Sequence, residues 1–184
     1  MPESIVFILG SPSASSRSSF VARTIRERVA REGFETAELS LRDFDATDVL
    51  FGRVDAEAPS RLVAHVRRAA AVVLASPVYK ATYSGGLKAI VDLVPPDALI
   101  GRPALGIATT RLADHGVEVA QAYRALFSFF RARAVDPLVV LDPDIAIDGE
   151  RGSFSAAAAD RVDAAARQLL SAIALADVPR GAAV

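Results

Sequence analysis

The chain has 184 residues, of which 52% are hydrophobic and 23% charged, with a formal net charge of −1. This composition predicts one soluble globular domain without the basic surface that nucleic acids require. The chain has no cysteine, which excludes disulfides, thiolate metal sites and a cysteine nucleophile. No apolar run reaches the roughly 20 residues of a membrane span. The N-terminus lacks the basic residues of a signal peptide, so we expect a cytoplasmic protein.

Short apolar runs alternate along the chain with longer segments of helical period, a pattern typical of repeated βαβ units. Five strands are predicted at Ile5–Leu9, Phe34–Ser40, Ala70–Ala75, Ala104–Thr109 and Val135–Leu141. Helices are predicted at Ser18–Arg31, Pro59–Ala69, Ser84–Leu93, His115–Ala134 and Ser155–Ala176, with a loop at Arg42–Ala58. The elements indicate a doubly wound parallel α/β sheet over residues 1–177, followed by a flexible tail at 178–184. Ligands of such sheets bind at the carboxyl ends of the strands.

The loop after the first strand, between Gly10 and Phe20, contains six serines and one arginine and ends at a helix N-terminus. Backbone N–H groups, serine hydroxyls and one guanidinium together suit a phosphate monoester. The loop has neither the Walker A pattern nor G-x-G-x-x-G, so a nucleoside triphosphate or a pyrophosphate is not favoured. The alternative is that the serines only cap the helix and form a polar loop.

The loop after the third strand, Ser76–Lys88, reads SPVYKATYSGGLK. Pro77 holds the chain extended as it leaves the sheet, which exposes backbone groups to a planar heterocycle. Tyr79 and Tyr83 offer aromatic walls, and the glycines that follow permit close approach. The alternative for either tyrosine is ordinary packing.

The two loops, in this order and spacing, resemble those of the NAD(P)H-dependent FMN reductases, in particular the subgroup that supplies reduced flavin to alkanesulfonate-type monooxygenases. The resemblance implies a flavodoxin-like fold with strand order 2-1-3-4-5, FMN as the flavin, and NADPH or NADH as electron donor. It also implies a homodimer or homotetramer and a flavin-dependent monooxygenase as partner. The cofactor-binding residues carried over from the family are Ser11, Ser16, Arg17, Ser18, Ser19, Pro77, Val78, Tyr79 and Lys80.

The loop after the fourth strand departs from the family, which usually has a Gly-Gly pair there. This chain has Thr109, Thr110 and Arg111. We expect the threonines and the arginine to donate hydrogen bonds to the flavin ring, and Arg111 to hold the 2′-phosphate of NADPH. By analogy, His115 lies near the flavin. Tyr123 is expected near the flavin or, with its aromatic neighbours Phe127 and Phe130, at a subunit interface.

The remaining polar residues favour no second chemistry. We expect His65 to be a solvated or half-buried helix residue and no metal site to form. No G-x-S-x-G elbow supports a hydrolase. The acidic residues Asp142, Asp144, Asp148 and Glu150 lack the EF-hand pattern and are predicted to form a solvated loop.

Hydride transfer between nicotinamide and flavin depends on stacking and nearby donors, so no single catalytic side chain is assigned. Two other functions remain open for this fold. One is an NAD(P)H:quinone or azo-dye reductase with tightly bound FMN, and the other is a non-catalytic flavin-binding partner module.

Overall fold

A parallel five-stranded sheet forms the centre of the protein in the computed structural model, which describes residues 4–148 and 151–177. Its strands are β1 Ser4–Leu9, β2 Glu35–Ser40, β3 Ala69–Tyr79, β5 Pro103–Thr110 and β6 Arg133–Leu141, and a short strand, β4 Thr82–Tyr83, pairs antiparallel with β3. The order is β2-β1-β3-β5-β6. The expected flavodoxin-like order 2-1-3-4-5 of five parallel strands is therefore confirmed. The predicted tail, 178–184, lies outside the described residues.

Helices cover both faces of the sheet. They are α1 Arg17–Arg31, α2 Ala46–Leu50, α3 Glu57–Arg68, α4 Gly85–Val91, α5 Ala113–Phe129 and α6 Ala156–Asp177. Alternate residues of β1 enter two separate cores, because successive side chains of a strand point to opposite faces. Phe7 packs in the core formed with α1 and α6, whereas Ile8 packs in the core formed with α3, α4 and α5. Within the described part of the chain, none of the helices is both long and apolar enough for a membrane span.

Three predicted boundaries are wrong. The expected loop at Arg42–Ala58 contains α2, whose first N–H groups are capped by the Asp45 carboxylate. β3 continues past Ala75 to Tyr79, because its last residues pair with β4. α5 ends at Phe129 rather than Ala134, since Arg131 adopts a positive φ of 51° that leaves the helix.

The predicted acidic loop is also wrong in part. Ile145–Asp148 and Arg151–Phe154 form an antiparallel hairpin, β7 and β8, while Glu150 lies outside the described residues. The hairpin packs on α1, where the rings of Phe20 and Phe154 stack with centroids 4.9 Å apart. Stacking of these two half-buried rings gives a packing partner to a segment that its charge pattern alone predicted to be solvated.

Candidate functional site

A cavity of about 850 Å³ opens at the carboxyl ends of β1, β3 and β5. Three loops and the residue after β6 line it: Ser11, Ser13, Ser15, Ser16 and Arg17; Pro77, Val78, Tyr79 and Lys80; Thr109, Thr110, Arg111, Leu112 and His115; and Asp142. The volume is in the range of small-molecule sites. The structure thus brings the three loops that the sequence singled out into one cavity.

The first loop ends in an N-capped helix. Ser16 has extended backbone angles, and its Oγ accepts a hydrogen bond from the Ser19 N–H at 3.4 Å. Ser11 Oγ accepts from the Ser13 N–H at 3.2 Å, which folds the loop back on itself. The first turn of α1 contains no acidic residue, so the positive end of the helix dipole is not neutralised there. Hydroxyls and a helix N-terminus on one side of the cavity make this part suited to an anion.

Ser18 and Ser19, which the resemblance assigns to cofactor binding, lie outside the cavity lining. They are 0% and 6% exposed. The Ser18 hydroxyl lies 2.9 Å from Ser16 Oγ and exchanges a hydrogen bond with it. The Ser18 hydroxyl and the Ser19 N–H thus both hydrogen-bond to Ser16 and orient its side chain. The number of serines in the loop did not show which of them would line the cavity.

Arg17 lines the cavity and is held by the β7–β8 hairpin. Its Nε donates to the carbonyl oxygen of Ile145 at 3.3 Å. One N–H of the guanidinium is thereby committed, and the side chain has a fixed direction along the cavity wall. The sequence indicated Arg17 but not its hydrogen bond to Ile145, because the β7–β8 hairpin was not predicted.

The second loop is a tight hairpin at the cavity mouth. Val78 pairs with Tyr83 and Tyr79 with Thr82, which leaves Lys80 and Ala81 as a two-residue turn. Their φ angles are 52° and 66°, in the left-handed region that Gly and Asn usually occupy in such turns. Each non-glycine residue in this region costs on the order of 1–3 kcal/mol, and such strain concentrates at ligand sites.

The two tyrosines of this loop have different surroundings. Tyr79 lines the cavity and is 49% exposed. Tyr83 lies outside the cavity lining, and its ring packs against Tyr123 with centroids 5.2 Å apart. Burial raises the pKa of the Tyr83 hydroxyl. Only Tyr79 is placed to contact a ligand in the cavity.

The third loop begins inside the sheet. Thr109 and Thr110 are each 4% exposed, and Thr109 lies opposite Pro77 in the β3–β5 ladder. Thr110 Oγ1 accepts from the Leu112 N–H and lies 3.2 Å from the Leu112 carbonyl oxygen, to which it donates. Its hydroxyl thus stabilises the turn into α5, which differs from the expected donation to a ring. Arg111, in contrast, is 87% exposed at the cavity edge.

Tyr123 is not at the cavity or at a surface. Its side chain is fully buried, and its hydroxyl donates to the carbonyl oxygen of Ile107 at 2.9 Å. Burial, with a smaller contribution from Tyr83, raises the pKa of Tyr123 well above its usual value. The ring also stacks on Phe127. The expectation of an interface or flavin contact for Tyr123 is therefore wrong, because the aromatic face of α5 packs on its own sheet.

The structure adds cavity residues that the sequence did not assign: Ser13, Ser15, Leu112 and Asp142. The signal for Asp142 was its position after the last strand, because the carboxyl ends of neighbouring parallel strands meet at one edge. Asp142 Oδ2 lies 3.8 Å from Arg111 Nε. Among the described residues, no group of three or more His, Asp or Glu side chains is arranged to hold a metal ion.

The fold defines a protein of the flavodoxin type, and its cavity is lined by hydroxyls and a helix N-terminus after β1 and by the last residues of β3, including Tyr79. The model of the NADPH-dependent FMN reductase family matches residues 4–145. The chain belongs to that family. It is thus an oxidoreductase, and FMN and NAD(P)H are the cofactors with which such enzymes work.

Individual proteins support this placement. The FMN reductase (NADPH) of Escherichia coli strain K12 is 31% identical over 95% of this chain and 92% of the relative. The NADPH azoreductase of Bacillus sp. strain OY1-2 is 28% identical over 80% of this chain and 82% of the relative. The crystal structure of an apo NADH:FMN oxidoreductase superposes with a TM-score of 0.82 at 26% identity, covering 92% of this chain and 89% of that one.

Proposed function

We propose that this enzyme reduces FMN with NAD(P)H and releases the reduced flavin to a flavin-dependent monooxygenase. The observation that supports the proposal is the single cavity that joins the serine loop after β1 to the PVYK segment, Pro77–Lys80, at the end of β3. A phosphate monoester and a tricyclic ring belong to one ligand, and the two chemistries lie in one space. The cavity volume, about 850 Å³, accommodates a ligand of this size.

At the phosphate end, Ser11, Ser16 and Arg17 are proposed to bind the FMN phosphate. Their hydroxyls and guanidinium are donors, and the α1 N-terminus adds the positive end of its dipole. One guanidinium with neutral donors suits a single phosphate better than a triphosphate, which usually takes a lysine and a metal ion. The residues present therefore fit the mononucleotide.

At the ring end, the main chain from Pro77 to Tyr79 is proposed to lie along the flavin. FMN, when bound, supplies the ring that accepts the hydride from the nicotinamide. The protein's part is to bind and orient the two rings, because no side chain need exchange a proton for the hydride to transfer. Tyr79, which lines the cavity and is half exposed, is proposed to cover one edge of the ring.

At the mouth, Lys80 and Arg111 present two exposed cations. A dinucleotide that stacks its nicotinamide on the flavin must run its phosphates across this rim. We assign Arg111 to the 2′-phosphate of NADPH, because a guanidinium binds phosphate oxygens in pairs. His115, at the first turn of α5, lines the same rim.

Release of reduced flavin is supported by the exposure of the rim. Tyr79 is 49% exposed and Leu112 57%, so the ring end of the cavity meets solvent. A flavin bound there can exchange, as the transfer of reduced FMN to another enzyme requires. The resemblance of the PVYK block to the alkanesulfonate-linked reductases indicates the class of the partner.

The test is steady-state oxidation of NADPH and NADH by desalted protein at increasing FMN. We expect NAD(P)H oxidation only when flavin is added, with a rate that saturates as FMN increases. We also expect a flavin-dependent monooxygenase to gain activity when it is mixed with the reductase. Absence of flavin-dependent oxidation with both nucleotides would refute the reductase function. Turnover without support of the monooxygenase would refute the partner role alone.

The second candidate is an azo-dye or quinone reductase with retained FMN, which the similarity to the NADPH azoreductase favours. Protein that stays yellow through desalting and reduces a quinone by ping-pong kinetics would support it. Binding of FMN without turnover would instead support the non-catalytic flavin module.

The homodimer or homotetramer and the cytoplasmic location stay predictions. With Tyr123 in the core, the exposed hydrophobics of α5, Val117 and Phe129, are the residues left to form an interface on this helix. Light scattering on the purified protein gives the number of subunits, and a Phe129→Ser variant tests the helix face.

A further inference from the structure

Two buried serines connect the base of the loop after Gly10, called here the phosphate loop, to the base of the loop Ser76–Lys88, called here the ring loop. Ser84 Oγ donates a hydrogen bond to the carbonyl oxygen of Gly10 at 2.5 Å, and the Ser84 N–H donates to Ser76 Oγ at 2.7 Å. Ser76 is 0% exposed and Ser84 2%. Neither serine lines the cavity. Gly10 directly precedes the phosphate loop, and Ser76 directly precedes the PVYK segment.

The serine bridge lies just beyond the end of the backbone ladder. The β1–β3 register runs to the pair Leu9–Ala75, and the Gly10 N–H donates to the Ala75 carbonyl oxygen at 2.8 Å. After this bond β1 ends and its chain turns into the first loop, whereas β3 continues to Tyr79 beside β5. Ser84 connects them at the next residue through its side chain and its backbone, so the bridge acts where the ladder stops.

The bridge has little freedom to move. Ser84 Oγ also accepts from the Leu87 N–H at 3.0 Å as the N-cap of α4, and Ser76 Oγ donates to the Pro77 carbonyl oxygen at 2.7 Å. A Cβ on Gly10 would lie 2.3 Å from Leu87 Cβ, so α4 packs directly on the stem of the phosphate loop. Each hydroxyl therefore has one donor and at least one acceptor role filled, which fixes its direction.

We propose that Ser84 is a positioning residue that sets the separation between the phosphate and ring subsites. The inference rests on the proposed flavin site. FMN binds as two linked groups, and the second group gains affinity from the first only when the two subsites are held at the spacing that the ligand spans. Riboflavin has no phosphate and depends on the ring subsite alone. Ser84 thus determines how much affinity the phosphate adds.

The experiment compares the Kd values of FMN and riboflavin, by flavin fluorescence, in the wild type, Ser84→Ala and Ser84→Gly. We expect both variants to weaken FMN about tenfold and riboflavin less than about twofold, because they lose the bond to Gly10 but keep the cavity lining. Glycine is an acceptable N-cap residue whereas alanine is not. A loss of FMN affinity caused only by fraying of α4 would therefore be larger for Ser84→Ala than for Ser84→Gly.

Ser155→Ala is the matched control. Ser155 Oγ accepts from the Ala158 N–H at the start of α6 and donates to Asp144 Oδ1 at 2.8 Å, so it caps a helix and links it to another segment as Ser84 does, without lining the cavity. We expect it to leave the ratio of the two Kd values unchanged. An unchanged ratio in both Ser84 variants, or equal weakening of FMN and riboflavin, would overturn the inference. Wild-type protein that binds neither flavin would instead overturn the proposed function.

Discussion

Arg111 Nε lies 3.8 Å from Asp142 Oδ2, which links the residue after β5 to the residue after β6 at the edge of the cavity. The guanidinium is 87% exposed and the Asp142 side chain 22%. A pair at this distance, with one partner in solvent, adds little to folding stability. We propose that the pair matters for ligand binding, with Arg111 leaving the carboxylate for a more highly charged phosphate.

Replacing Arg111 tests this assignment. We expect Arg111→Ala to raise KM for NADPH about tenfold, the loss of one charged hydrogen-bonded contact, while KM for NADH changes less than about twofold. The Kd of FMN should stay within about twofold of the wild type. Steady-state kinetics with the two nucleotides measure the difference, and an equal rise in both KM values would contradict the role of the 2′-phosphate.

Asp142→Asn serves as the paired variant. It removes the charge that competes with phosphate for Arg111 but retains the shape of the side chain. We expect KM for NADPH to fall or stay constant in this variant. Any difference in KM between the variant and the wild type should shrink as salt is raised, since exposed charges are screened. A rise in KM for NADPH would show that Asp142 orients Arg111 rather than competing for it.

Gly106 and Tyr123 show why β5 and α5 can pack so closely. A Cβ on Gly106 would lie 2.4 Å from Tyr123 Cγ, so any larger residue displaces the ring and weakens its hydrogen bond to Ile107. We expect Gly106→Ala to lower the free energy of unfolding by about 1–3 kcal/mol. Urea denaturation measures this. The control is Gly85→Ala, because a Cβ there meets nothing within 4 Å and a helical alanine is favoured.

The centre of the sheet was predictable from the sequence because β1, β5 and most of β3 are buried on both faces. Runs such as Ala70–Ala75 are continuously apolar, and burial in the structure follows them closely. The cavity followed from the same pattern, since it lies where those runs end. Ten of the twelve residues assigned to cofactor binding line it, and the two that do not, Ser18 and Ser19, are buried in the first turn of α1.

What the sequence could not give depends on contacts distant along the chain. Tyr123 and Tyr79 are both tyrosines, but Tyr123 is buried in the core, where its ring packs closely against Gly106. The β7–β8 hairpin is ordered by the packing of Phe154 on Phe20, and that pairing spans most of the chain. The bond from Ser84 to Gly10 likewise joins residues 74 positions apart, beyond the reach of local periodicity.

The end of α5 offers a change that should stabilise the protein. The Arg131 N–H donates to the Ser128 carbonyl oxygen and the Ala132 N–H to that of Phe127, which is the Schellman pattern. Its left-handed position, with φ 51°, is occupied by Arg131, although glycine is preferred there. We expect Arg131→Gly to raise the free energy of unfolding, measured by urea denaturation, by about 1 kcal/mol. Arg131→Ala keeps the strained backbone and should not stabilise; equal gains in both variants would assign the effect to the side chain.

We expect His65 on α3 to make the stability of the protein depend on pH. Burial lowers its pKa from the usual 6.5, and the nearby charges of Arg68 and Arg61 lower it further. The unfolded chain therefore binds a proton at a higher pH than the native state does. The contribution of neutral His65 is fully present above about pH 6.5 and is lost as the pH falls through the native pKa.

The free energy of unfolding of the wild type should thus fall more steeply between pH 7.5 and 5.5 than that of His65→Gln. Arg68→Gln removes one repulsive charge and should reduce the slope, whereas the part caused by burial should persist in high salt because it is not screened. Urea denaturation of the three proteins at three pH values gives the slopes. Equal slopes in the wild type and His65→Gln would show that protonation of His65 costs the native state nothing.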